Sequence, residues 1–83
     1  MKAVVNIFLK TGVLDPQGKA VHHALESLDF KGVKDVRIGK QVVLELSASD
    51  KKQALKEVRE MSETLLANTV IEDYSIEIVE WKM

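Results

Sequence analysis

Residues 2–10, KAVVNIFLK, alternate: Ala3, Val5, Ile7 and Leu9 fall on one face, Lys2, Val4, Asn6, Phe8 and Lys10 on the other. Period two predicts a strand with its odd positions toward a core. After Thr11-Gly12-Val13 the period changes. Val21, Ala24, Leu25 and Leu28 recur at i, i+3, i+4 and i+7, the apolar stripe of a helix. Asp15 and Pro16 mark its start, because Asp caps free N–H groups and Pro at the first helical position loses no hydrogen bond. The helix is expected to end near Asp29.

Further on, Val36 and Ile38 alternate with Arg37, and Val42, Leu44 and Leu46 alternate with Val43 and Glu45. Gly39-Lys40 lies between them with the chemistry of a two-residue turn, which predicts a hairpin of the second and third strands. Ser49 and Asp50 open a second helix, with Gln53 placed for a capping box. Ala54, Val58, Met61 and Leu65 line one side of it, and Asn68 is its expected left-handed stop. In VIEDYSIEIVEW, Tyr74, Ile76 and Ile78 share one face and Ser75, Glu77, Val79 and Trp81 the other, a fourth strand. The order is βαββαβ. It predicts one α+β domain over residues 1–83: an antiparallel sheet with both helices on one face, the split-βαβ or ferredoxin-like layout.

The uncovered sheet face then carries Val4, Phe8, Val43, Val79 and Trp81 among Lys2, Asn6, Arg37, Glu45 and Glu77. A solvated face would be nearly all polar, so this one reads as an association surface. The last strand is long enough to pair with an edge strand of a second copy. Length agrees. A chain of 83 residues hides only roughly 60% of its unfolded surface on folding, so association is expected to supply part of the stability.

Charge narrows the partners. Twelve basic and thirteen acidic side chains are interleaved, for a formal net charge of −1, which leaves no field for nucleic acid and no polybasic patch for a membrane. The chain has no cysteine, so disulfides, thiolate nucleophiles and Cys-ligated metals are excluded. No apolar run is long enough to span a bilayer. The expected location is the cytoplasm.

Candidate chemistry is sparse. Gly18-Lys19 invites comparison with a phosphate loop, but Ala20 stands where that motif needs a hydroxyl and Val13 where it needs a glycine. Gly18 instead sits inside the helix, where Gly costs about 1 kcal/mol against Ala. Close approach of another backbone would account for it. His22 and His23 are adjacent, and metal-binding pairs on a helix need i,i+3 or i,i+4 spacing. His22 is placed to meet Glu26. No nucleophile–base constellation is present.

Three longer runs carry a resemblance: LKTGVLDPQGKAVHHALESL, VKDVRIGKQVVLEL and LLANTVIEDYSIEI. In order and spacing they are similar to PurS, the small subunit of phosphoribosylformylglycinamidine synthase, across nearly the whole chain. Thr11 and Thr69 stand where that family commonly has Pro. The resemblance implies a non-catalytic assembly subunit in purine biosynthesis, forming homo-oligomers (dimers or higher). It would bridge a glutaminase subunit, which releases ammonia, and a synthetase subunit that activates its substrate with ATP. The complex would use ATP, Mg and glutamine, and this chain would bind no cofactor or metal and hold no catalytic residue. Interface candidates by this resemblance are Asp15, Pro16, Gln17, Gly18, Arg37, Gly39 and Lys40. The exposed sheet face adds Phe8, Val43, Val79 and Trp81. The competing reading is a small ligand-sensing regulatory domain of the same layout, using the Gly12–Gly18 region.

Overall fold

A computed structural model describes residues 1–47 and 49–79. Strand β1 (Lys2–Leu9) is followed by helix α1 (Pro16–Ser27), strand β2 (Gly39–Glu45), helix α2 (Lys51–Met61), a π turn (Ser62–Leu66) and strand β3 (Glu72–Val79). The sheet order is β2-β1-β3, antiparallel throughout. The α+β class and the antiparallel sheet hold. The strand count is three among the described residues, not four.

The expected hairpin is not formed. Gly39 and Lys40 are not a turn; they are the first rungs of β2, opposite Phe8 and Ile7 of β1. Residues 33–38 carry no ladder and run into β2 from beyond the sheet's end. Turn chemistry at Gly39 lost to a tertiary demand. A Cβ there would lie 2.5 Å from Cδ1 of Phe8 and 2.6 Å from the carbonyl oxygen of Ile7, so the glycine lets Phe8 lie over the strand.

The core sits under α2. Ala3, Val5 and Ile7 of β1 are fully or almost fully buried, as are Ala54 and Val58 of α2. Val42 and Leu44 of β2, and Tyr74, Ile76 and Ile78 of β3, pack around them half-buried. The register puts Val5 between Val42 and Ile76 and Ala3 between Leu44 and Ile78, so the inward face is apolar across all three strands. The buried line on α2 continues from Ala54 and Val58 to Ser62 and then Ala67, whereas Met61 and Leu65 are exposed. The reason is the π turn. The Ala67 N–H donates to the Ser62 carbonyl at 3.0 Å, five residues back, and Ser62 Oγ satisfies its buried hydroxyl by donating to the Val58 carbonyl at 2.8 Å. Asn68 is not left-handed; its carbonyl accepts from Ile71 and Glu72 and turns the chain into β3. Gln53 does not close a capping box either, since its amide donates to Glu57.

Helix α1 behaves differently. It ends as expected, with Asp29 at φ 72° just beyond it. Yet it buries only Gly18, while Val21 and Leu28 of its stripe stay exposed. It does not share the layer of α2 over the sheet. The radius of gyration is 16.3 Å, against about 12 Å for a compact chain of this length. The long dimension is 48 Å; an eight-residue strand (about 26 Å) and a twelve-residue helix (about 18 Å) reach that only end to end.

Candidate partner interface

The two motif segments meet at the end of the sheet, joined by one carboxylate. Asp15 is the N-cap of α1: its Oδ1 accepts from the Gly18 N–H at 2.8 Å, and its Oδ2 accepts from the Ile38 N–H, also at 2.8 Å. These backbone donors, Gly18 first and Ile38 second, hold its pKa below the usual carboxylate value, with the Arg37 charge helping a little. Gly18 is needed for the same closure. A Cβ on it would run into the Val36 carbonyl oxygen and lie 3.0 Å from Asp15 Oδ2. One turn later, His22 Nε2 lies 2.8 Å from the Val33 carbonyl, which makes it the ring's donor, and 3.6 Å from Glu26 Oε1. The glycine anticipated in sequence as a close-approach position is one; its neighbour is the 33–38 connector.

Two clefts of about 270 Å³ flank this clasp. One is lined by Lys10, Gly12, Leu14, Lys19, Asp35 and Arg37. The other is lined by Ile7, Pro16, Gln17, Gly39, Lys40 and Glu72. Asp15 borders both. Lys40 Nζ sits 3.9 Å from Glu72 Oε2, and Glu72 Oε1 accepts from the Asn68 N–H at 2.7 Å. Thus Asp15, Pro16, Gln17, Gly18, Arg37, Gly39 and Lys40 form one neighbourhood. The sequence reading missed Val36, Ile38 and Glu72. The first two join the clasp through backbone atoms, which no side-chain pattern reveals.

The outer sheet face is more divided. Phe8 lies over Gly39 and is 43% exposed; Val43, paired with Val4, is 53% exposed. Val79 is half-buried beside Lys2. Arg37 is not on this face, because its strand is not formed, and Trp81 lies outside the described residues. Lys2 and Glu45, and Asn6 and Gln41, fill the rows between, the last pair joined by a 2.9 Å hydrogen bond. Among the described residues there is no group of His, Asp and Glu able to hold a metal ion. No helix of these residues is long and apolar enough to cross a membrane.

A family model described as PurS, phosphoribosylformylglycinamidine (FGAM) synthase, matches residues 2–80. The chain belongs to the PurS family. Its relatives include the FGAM synthase subunit PurS of Bacillus subtilis, 53% identical over 79 residues that cover 95% of this chain and 93% of that one. The solved PurS of Methanocaldococcus jannaschii, one of the subunits of formylglycinamide ribonucleotide amidotransferase in the purine biosynthetic pathway, superposes with a TM-score of 0.88 at 40% identity, covering 98% of each chain. A chain of the PurLQS structure from Thermotoga maritima superposes at 0.84 with 32% identity, covering 92% of this chain and 93% of that one. PurS relatives therefore share the end-to-end layout over nearly their full length.

Proposed function

We propose that this chain is the non-catalytic assembly subunit of FGAM synthase, a single PurS-like domain over residues 1–83 that acts in the cytoplasm. It self-associates and bridges the glutaminase and ATP-dependent synthetase subunits. The observation that carries the reading is the match, over 92% of this chain, to a chain of a PurLQS structure. ATP, Mg and glutamine are handled by the other subunits, and this chain contributes shape. Ammonia released at one site and used at another is lost if it meets bulk water, and a closed protein junction prevents that. The clasp around Asp15 and the exposed Phe8–Val43 face supply rigid, partly apolar contact surfaces for such a junction.

A ligand sensor in the Gly12–Gly18 region finds no support in the site. The one carboxylate there already accepts from two backbone N–H groups. The test is complementation. Glutaminase and synthetase subunits are mixed with and without this chain, and glutamine-dependent amidation is followed. Restoration by the chain is expected. Full activity of the two larger subunits alone would overturn the proposal.

A further inference from the structure

One of the two clefts beside the clasp is built from three separate segments, and each brings a cation to it. Lys10 follows β1, Lys19 lies in the first turn of α1, and Arg37 belongs to the 33–38 connector. Backbone bonds hold the segments in place. The Lys10 N–H donates to the Ile71 carbonyl at 2.8 Å, and the Lys10 carbonyl accepts from the Val13 N–H at 3.0 Å. Between them Gly12 takes φ 91°, a value that glycine adopts without strain. The Lys19 N–H donates to the Asp15 carbonyl at 3.0 Å, and the Asp15 carboxylate fixes the connector through Ile38. The backbone of this cleft is therefore set in advance, so that little order has to be imposed on it by binding.

Its charge is not balanced from within. Asp15 and Asp35 also line it. Yet both oxygens of Asp15 accept from backbone N–H groups, and Oδ1 of Asp35 accepts from the Val36 N–H at 3.0 Å. Among the described residues no carboxylate lies within ion-pairing distance of Lys10, Lys19 or Arg37, whereas Lys31 and Lys40 have one at 3.8 and 3.9 Å. Three cations against two engaged carboxylates leave a positive cleft on a chain whose formal net charge is −1. Apolar surface borders it: Leu14 is 63% exposed and Val13 38%. Apolar anchors beside a charged rim are the make-up of a protein contact. At about 270 Å³ the cleft is also smaller than the usual small-molecule site, roughly 300–1,000 Å³.

We propose that this cleft docks an acidic segment of one of the two larger subunits. Carboxylates of that segment meet Lys10, Lys19 and Arg37, and an apolar side chain next to them packs on Leu14. The inference rests on the reading of this chain as an assembly subunit, and it adds the chemistry that the partner must present. Charge pairing at such a rim governs the rate of encounter and the register of docking, and salt weakens it. The tight approach at Gly18 gains a purpose as well, because it brings Arg37 and Lys19 to one cleft.

The test titrates the two larger subunits with this chain and reads the concentration that half-saturates glutamine-dependent amidation, at about 0.05 and 0.3 M salt. Lys19→Glu/Arg37→Glu reverses two exposed cations of the cleft, and Lys51→Glu/Lys52→Glu makes the same charge change at the exposed start of α2. The cleft variant should need at least about tenfold more chain, the α2 variant less than about twofold more. The natural chain's requirement should rise with salt and the cleft variant's should not. If the natural chain restores activity and both variants match it, the dock is wrong and the assembly reading stands. If the natural chain restores nothing, both fall. A second measurement needs no substitution. A carbodiimide added to the assembled complex joins a lysine Nζ to a carboxyl carbon as an amide, and the water lost converts the carbodiimide to a urea. Peptides linking Lys10 or Lys19 to an Asp or Glu of a larger subunit are expected. Links from these lysines only to a second copy, or none from either, would overturn the proposal.

Discussion

Replacing Gly18 with Ala tests whether the clasp is as tight as its geometry indicates. Gly18 is the third residue of α1, so helix propensity alone favours Ala, by about 1 kcal/mol at an open interior site and less in the first turn. The structure predicts the opposite sign. The new methyl group meets the Val36 carbonyl oxygen, a backbone atom that cannot swing aside, and it lies 3.0 Å from Asp15 Oδ2 and 3.1 Å from Asp15 Cγ. Overpacking of this kind costs about 1–3 kcal/mol, which exceeds the propensity gain over most of its range. The expected result is a net loss of about 1–2 kcal/mol. Urea denaturation at one fixed protein concentration measures it, because any association between chains would make apparent stability depend on concentration. Exposed Lys19→Ala, one residue on, should change stability by no more than about 0.5 kcal/mol. If Gly18→Ala instead raises the urea midpoint, the close approach to the connector is wrong and the clasp reading falls with it.

Acid should loosen the same clasp. The folded pKa of Asp15 is lowered, so its contribution is complete at neutral pH and disappears only as pH falls through the folded value, below about 4. Asp15→Asn should therefore be less stable than the natural chain at about pH 7, with the gap narrowing as pH falls below about 4; a gap that stays constant throughout acid titration contradicts this. Tyr74 is the only tyrosine, and its hydroxyl donates to Glu63 Oε1 at 2.7 Å. That bond first, then partial desolvation, raises its pKa, so the bond's stabilisation is present below pH 10 and is lost as pH rises through the folded value. Glu63→Gln should bring the tyrosinate absorbance titration down toward 10, and an unmoved curve would remove the bond. Val58→Ala empties part of the fully buried core under α2 and should cost about 2–3 kcal/mol by urea denaturation; a loss under about 1 kcal/mol would mean that the helix is not seated there.

The elements with undisturbed periodicity were readable from residues alone. Strand β1 shows its odd-inward alternation, β3 its Tyr74-Ile76-Ile78 face, and α1 both its Asp15-Pro16 start and its stop at Asp29. The hairpin was not readable, because Gly39 serves two incompatible purposes. A turn wants its positive φ, whereas Phe8 wants its missing side chain, and only the paired register shows which demand prevails. The lower half of α2 was misread for a similar reason: spacing of 3.6 cannot anticipate a single five-residue turn at Ser62. At the candidate interface, the Asp15–Gly18 and Arg37–Lys40 runs stood out as separate motifs. Their meeting depends on the Ile38 N–H and the Val36 carbonyl, groups that every residue but proline carries and no composition marks.

The wide turn at Ser62–Leu66 also bears on how the chain can change in length. Ser62, at its start, and Ala67, just after it, are both buried, while Thr64 and Leu65 bulge outward between them. Removing one bulged residue would let an ordinary helical turn span the gap, with everything downstream still aimed as before. The same deletion inside Lys51–Met61 would rotate the rest by about 100° and turn Val58 away from the sheet. This stretch is therefore where homologous chains can differ by one residue without refitting the strand that follows.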